Sequence, residues 1–559
     1  MAKEHNISES LTAAKSMDHV LLYHCKRTTD RKSLDIKFSC CKSSYQIRKV
    51  RNKGALIVLI WNYLATTLFY FLASHVPKFD HRPYFIVCCF TLPTAGWLAD
   101  VYLGRYKVIR WSMWIMWTAA VLATVSSVAE QMVNSYHHVH TYVVLVLFAI
   151  ASIGLGTFWA NVIQFGLDQL QDASTTEITA FISWFMWTYM SGGIVIDFAY
   201  TCINQKYHII GQLYACICLT MMLILLFSSN NVLIKEPVTL NPFKLVYKVV
   251  KFAIKHKHPR CRSAFTYCED ELPSRLDLGK SKYGGPFTIE QVEDVKTFLR
   301  LLTVVFVASS MPGIVTFVNI LRNYLIKVVL DEEVVAMPSI KCYLNKLYAN
   351  TMLITATILI PVHEFVFYPL LHKYFSWVKS YWKFSIGVIA QVVRVIVLMA
   401  LELMARNKYS AQNGQNSTLQ CIFSEKKGVL NSTFDIKWMI LPNVLNSVSI
   451  VTLGVGGIEF ICAQTPYSMK GLIVGTVYGS VVIIAFIGYG ISEPFTRHMI
   501  TRSTGVISCG FWYLLLVMIV LLFNSILLLI LGKLYKNRKR EDVLPNEQVF
   551  AERYYSNIN

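Results

Sequence analysis

Acidic side chains are scarce: 33 Asp and Glu stand against 53 Lys and Arg, and charged residues of every kind make up only 15% of 559 residues. That leaves too little polar surface to clothe a soluble fold of this length. Other shortages narrow the chemistry. The sequence holds no glycine-rich phosphate loop, no nucleophile elbow and no Cys/His cluster at metal-ligand spacing. It therefore offers no enzyme centre, and no cofactor or metal is expected. The 14 cysteines form no framework, since most fall within apolar runs or beside basic segments.

What the chain has in abundance is hydrophobicity, at 54% of residues and a mean hydropathy of +0.45. A helix crossing a bilayer core needs roughly 20 mostly apolar residues. Twelve such runs begin near Gly54, Pro83, Val108, Thr141, Ile178, Gly211, Phe298, Asn350, Tyr381, Lys437, Lys470 and Val506. The first starts too late and runs too long for a cleavable signal peptide, so it is expected to remain as span 1.

The formal balance of +20 orients these spans. Basic residues concentrate in "KSSYQIRKVRNK", "GRYKVIR", the stretch from Asn231 to Thr297, and "KLYKNRKR". The positive-inside bias places all four in the cytoplasm, with both termini inside. Asn416 and Asn431, each in an "NST" sequon, then fall in the outer loop between spans 9 and 10 and are expected to carry glycans, whereas Asn6 is cytosolic. The basic residues flank spans instead of forming an aromatic-studded patch, which excludes nucleic acid and points to lipid headgroups of the bilayer as their partner.

The expected organisation is a basic tail (1–53), six spans (54–228), a linker (229–297), six more spans (298–533) and a second tail (534–559). Two six-helix halves around a midplane site are the plan of alternating-access carriers. In "GWLADVYLGRYKV" Gly96 permits close helix approach, Asp100 ends span 2, Gly104 turns the chain, and Arg105 and Lys107 supply cations. A carboxylate there can pair with helix ends or arginines in one state and lose them in the other, which makes the stretch a candidate gate. Its Gly-x-x-x-Asp-x-x-x-Gly-Arg pattern resembles the signature of the major facilitator superfamily. The resemblance implies an all-α membrane protein of that fold, with 12 transmembrane helices in two six-helix bundles.

Further blocks narrow the resemblance. "GLGTFWANVIQFGLDQL", "FISWFMWTYMSGG", "LPSRLDLGKSKYGGPFTIEQVEDVK", "IPVHEFVFYPL" and "GIEFICAQTPYSMKG" follow one another as in the proton-dependent oligopeptide transporter family. The animal peptide/histidine transporters are the most similar branch. The resemblance implies transport of a small-molecule substrate such as a peptide or amino acid. It also exposes what is missing. That family carries Glu-x-x-Glu-Arg in span 1 for proton coupling, where this chain reads "ALIVLIWNYLATT"; its span 4 lysine falls at Trp159 and its deep span 10 glutamate at Ile450. Glu459 matches a different family acid.

An ion held at membrane depth costs at least ~2.5 kcal/mol, so carriers keep one where it binds or moves something. Without such partners a peptide zwitterion would shed hydration uncompensated. The remaining pocket candidates are Trp159, Asn161, Gln164, Trp184, Trp187 and Tyr189, with Ser309 and Ser310 in span 7. Their aromatic and small-polar character suits a neutral, amphipathic or cationic solute, through stacking and cation–π contact. Other charges at depth are Asp197, His363, Glu364, Glu402 and Arg394, a mid-span guanidinium that needs an acid, a polar cavity or substrate.

In "NPFKLVYKVVKFAIKHKH", Lys244, Lys248, Lys251 and Lys255 recur at helical spacing, with Val246, Val249, Val250 and Ala253 on the other side. A basic amphipathic helix is expected there, lying on the anionic lipids of the inner leaflet or serving as a solvated tether. Thr288-x-x-Gln291 reads as a helix start. Cys342 and Cys421 share the outer side and form a candidate disulfide, whereas Cys40 and Cys41 are sites for palmitoylation or free thiols. "DHVLL", Asp18 to Leu22, resembles an acidic dileucine sorting signal, so a plasma or endolysosomal membrane is expected. Two function classes follow: a carrier divergent in substrate and coupling, and a transport-inactive receptor or scaffold.

Overall fold

The computed structural model describes residues 50–75, 82–132, 137–171, 173–201, 208–238, 241–256, 274–331, 347–348, 350–371, 380–413, 436–466, 469–499 and 510–535. Asn6, Asp18 to Leu22, Cys40, Cys41, Cys342, Asn416, Cys421 and Asn431 lie outside them. Asp197 and Glu402 lie in described helices.

The apolar runs fold as long helices. In the first half these are α1 (Lys53–His75), α2 (Arg82–Leu98), α3 (Arg105–Met132), α4 (His137–Asp168), α5 (Thr175–Thr201) and α6 (His208–Ser228). After α7 (Pro242–Lys255) in the linker come α8 (Ile289–Asp331), α9 (Thr351–Val362), α10 (Ser380–Asn413), α11 (Ile440–Gln464), α12 (Lys470–Met499) and α13 (Gly510–Leu534). Among the described residues, seven helices carry a stretch long and apolar enough to cross a bilayer, and α1 and α9 are apolar over shorter stretches.

Among the described residues, two helices end in widened π turns, α2 at Ala99–Leu103 and α9 at His363–Phe367. Each follows a proline within its own helix, Pro93 and Pro361, whose missing N–H and ring loosen the ladder. The first turn closes with the Gly104 amide donating to the Ala99 carbonyl at 3.0 Å. Gly104 then reverses the chain at φ 81°, a conformation in which a Cβ would be strained.

Packing divides into two sets. In the first α3 lies on α4 and α1 on α5, in the second α10 on α11 and α8 on α13; the large core around Trp61, Phe158, Phe165 and Phe181 runs on into the second through Leu353, Val451 and Leu472, and Met311, Val395, Leu514 and Val517 form a smaller core within the second. The sets meet where α2 and α4 pack on α12 and α5 packs on α9.

The linker is built rather than slack. Asn241 caps α7 by accepting from the amides of Phe243 (3.1 Å) and Lys244 (3.3 Å), and Pro242 occupies the first turn, where its missing donor costs nothing. The lysines are exposed, but the side that carries the valines does not lie open to a membrane. Val249 and Ala253 are buried, and Val249 packs with Val292 and Val295 at the start of α8. The Thr288 start is a reciprocal capping box: the Gln291 amide donates to Thr288 Oγ1, and the Thr288 amide to Gln291 Oε1, both at 3.2 Å. Beside it, Asp277 and Glu293 share Lys280 and Lys296, with Lys280 Nζ 2.6 Å from Asp277 and 2.5 Å from Glu293.

Candidate functional site

The contact of α2 with α12 is made by absent side chains. A Cβ on Gly96 would lie 2.3 Å from the Gly471 carbonyl oxygen, and one on Gly475 would lie 2.5 Å from that of Leu92. The two backbones touch, which brings Asp100 to the first turn of α12. There Oδ2 accepts from the Leu472 amide at 2.9 Å. A carboxylate satisfies an orphan donor and meets the positive end of the helix dipole at once.

The other oxygen, Oδ1, takes Arg105 Nε at 3.2 Å and Nη2 at 3.0 Å. Arg105 also bonds Asp168 at the end of α4, and Lys470 Nζ stands 3.9 Å from that same carboxylate. Asp100, Arg105 and Asp168 are all buried. The result is a latch of alternating charge from α4 through α3 and α2 to α12. Lys107 is exposed and takes no part in it. Asp168, Lys470 and the Leu472 amide were not singled out by sequence reasoning.

Four pocket candidates lie at the seam between the two helix sets. Gln164 Nε2 is 3.8 Å from Cys462 Sγ of α11; Trp187 Nε1 donates to the Thr357 carbonyl of α9 at 3.0 Å; and Trp184 packs against Phe365, ring centroids 5.6 Å apart. Trp159 packs with Tyr478 of α12 and forms an aromatic cluster with Phe69 and Tyr189, at 5.0 Å and 5.6 Å.

The remaining candidates sit elsewhere. Asn161 Nδ2 donates to the Thr157 carbonyl (2.9 Å) and to Ala95 of α2 (3.4 Å). Ser309 bonds Ser480 within the second set, and Ser310 bonds the Val307 carbonyl of its own helix. Arg394 is fully buried and donates to Asn446 Oδ1 (2.9 Å) and Gln391 Oε1 (3.3 Å), so its polar partners include the α10–α11 contact.

Along its buried side α1 presents Trp61 and Asn62, both with no exposed surface. Asn62 Nδ2 donates to the Phe185 carbonyl (3.1 Å) and to Thr188 Oγ1 (2.9 Å) of α5. Asn62 Oδ1, Trp61 Nε1 and Trp159 Nε1 are buried without a hydrogen-bond partner among the described residues. Two polar contacts stand apart: the ion pair of Lys383 with Glu459 at 2.7 Å, joining α10 to α11, and His363 Nδ1 at 3.0 Å from Glu364 Oε1 on the π turn after α9. Lys383 went unnoticed in the sequence.

The fold is of the major facilitator type, with a charged cluster across the seam of its two helix sets. The sequence pattern of the POT family matches residues 106–317 and 344–508, and the chain belongs to that family of membrane transporters. Mouse Solute carrier family 15 member 3 is 24% identical over 440 residues, covering 71% of this chain and 73% of the relative. Human Solute carrier family 15 member 2 is 23% identical over 427 residues, 74% and 53% of the two chains. Among solved structures, an auto-inhibited POT family peptide transporter superposes with TM-score 0.57 at 14% identity, over 88% of this chain and 99% of that one. A POT family transporter in complex with 5-aminolevulinic acid gives 0.54 at 12%, over 87% and 97%.

Proposed function

We propose that the chain is an alternating-access carrier of a small organic solute, divergent from peptide transporters in what it binds and not driven through a span 1 proton site. The observation that carries this reading is the buried wall of α1, where Asn62 and Trp61 stand and an ionisable cluster does not. A zwitterionic peptide would leave an ammonium and a carboxylate without counter-charges there, at a cost of several kcal/mol each. Unmatched groups of opposite kind, the Asn62 carbonyl and the indole N–H of Trp159, instead suit a neutral or singly charged solute with both a donor and an acceptor. The aromatic cluster of Phe69, Trp159 and Tyr189 favours an amphipathic or cationic body.

The latch favours a carrier over a transport-inactive receptor or scaffold. A static scaffold has no need of a buried carboxylate joining the two helix sets at one end, the end that the charge pattern assigns to the cytoplasm. Making and breaking that joint is one half of an alternating-access cycle. The Asp18 to Leu22 stretch supports residence in an endolysosomal as well as a plasma membrane.

Uptake by proteoliposomes of the purified full chain, offered a mixed library of peptides, amino acids and organic amines, tests the reading. Saturable uptake of a neutral or cationic solute, with weak uptake of zwitterionic dipeptides, is the expected result. Preferred, high-affinity uptake of zwitterionic dipeptides would overturn the substrate class, and absence of uptake across the library would favour the receptor.

A further inference from the structure

The linker helix α7 carries a surface that transport does not use. At about 100° per residue, Phe243, Ile254 and Tyr247 fall within about 40° of arc, and Lys251, Lys244, Lys255 and Lys248 fill the arc beside them. The opposite side, with Val249 and Ala253, is covered by α8 and the linker. The large apolar stripe is therefore left open, with Phe243 48%, Tyr247 62% and Ile254 74% exposed. No acid occurs in α7, so its lysines are not neutralised within the helix. Lys251 Nζ lies 5.4 Å from the Tyr247 ring, binding the two stripes together.

Position decides which partner fits. Helix α8 has 43 residues, roughly 65 Å at the usual rise, against a hydrocarbon core of roughly 30 Å. Its first turns, which carry Glu290, Glu293, Asp294 and Lys296, are too polar for that core and project beyond it, and α7 packs beside them at Val292, Val295 and Leu299. At the other end the Phe243 ring is 6.0 Å from Trp97, near the inner end of α2. Tryptophan favours headgroup depth. A helix held at that level, with an apolar stripe flanked by lysines, has the geometry of an interfacial anchor: rings enter the acyl boundary and ammonium groups meet phosphates.

We infer that α7 docks on the anionic phospholipids of the cytoplasmic leaflet through Phe243, Tyr247, Ile254 and the four lysines. It does so by the side opposite its valines, which face the protein. The inference is independent of which solute is carried.

The full chain in nanodiscs of phosphatidylcholine alone, and of phosphatidylcholine with phosphatidylserine, tests it by hydrogen exchange over 242–255. Phosphatidylserine should slow exchange of α7 about tenfold, and raised salt should reverse this. A K244Q/K248Q/K251Q/K255Q variant should exchange alike in both lipids, and the corresponding four-arginine variant should behave as the wild type. Unchanged protection at 292–299 in the glutamine variant would report that α7 remains seated on α8. Equal exchange of the wild type in both lipids would overturn the inference and leave the face to an acidic protein. Persistence of the phosphatidylserine effect in the glutamine variant would overturn it as well.

Discussion

Asp100 divides its two oxygens between different parts of the molecule, one for the Leu472 amide of α12 and one for Arg105 of α3. An asparagine can still accept from the amide but loses the charge that holds Arg105 and meets the helix dipole. Asp100→Asn should bias the gate by about 1–3 kcal/mol, the usual scale of coupling energies, and slow turnover several-fold. Yield and gel-filtration profile should stay near wild type, because Arg105 keeps Asp168. A variant that transports at the normal rate would reduce Asp100 to a topological anchor. Gly96 tests the same joint by volume. Gly96→Leu would drive a side chain into the Gly471 backbone and should hold the halves apart at this end, raising alkylation of a cysteine introduced at Leu472. Unchanged labelling would mean that the approach of α2 to α12 is not the closure.

The linker is held by its ion knot. Burial raises the Asp277 carboxyl, but hydrogen bonds from Lys280, Lys296 and Ser274 outweigh it and hold the group below its ordinary 3.8. A carboxyl held low contributes its full stabilisation above the unfolded value and loses it as pH falls through the folded one. Protection of 274–299, taken relative to the intrinsic exchange rate at each pH, should therefore be constant near neutrality and fall only once the medium is acidified below 3.8. Asp277→Asn should show the faster exchange already at neutral pH. Equal exchange in variant and wild type would assign the linker's order to the valines alone.

These elements also show what a sequence discloses. The capping box at Thr288 and Gln291 was legible because both partners lie within one turn. The near side of the proposed latch lies in one stretch too, Asp100 and Arg105 being five residues apart. Its receiving side does not: Leu472 is 372 residues from Asp100, and Asp168 is 63 from Arg105, separations at which no periodicity speaks. For α7 the pattern set lysines and valines on different sides but not what covers the valines, because burial on a bilayer and burial on α8 leave the same valines in the sequence, and it passed over the open stripe of Phe243, Tyr247 and Ile254. The paired Lys383 and Glu459 escaped for the same reason as the latch, their contact being made 76 residues apart.

Across the whole molecule, orientation underlies the assignment of latch and linker to the cytoplasm. Asn416 and Asn431 should carry glycans in an animal cell, and Cys342 and Cys421 on the same side should be joined in an oxidising compartment. Glycosidase should shift the gel mobility of the wild type and not of an Asn416→Gln, Asn431→Gln variant, and non-reducing peptide mapping should recover the Cys342–Cys421 pair. An unshifted wild type would invert or recount the spans and move the latch to the outer side.

The neutral wall of α1 makes the strongest demand on the molecule, and the driving force measures it most directly. Proteoliposomes holding the full chain and its best library substrate should be compared with an imposed inward proton gradient and with that gradient collapsed by a protonophore, at one membrane potential. If the α1 wall with buried Trp61 and Asn62 binds no coupling proton, as we propose, initial rates should be equal and, at zero membrane potential, the solute should equilibrate without concentrating. Accumulation above the outside concentration that vanishes with the gradient would contradict this, and would move proton coupling to another buried carboxyl, Glu364 beside His363 first.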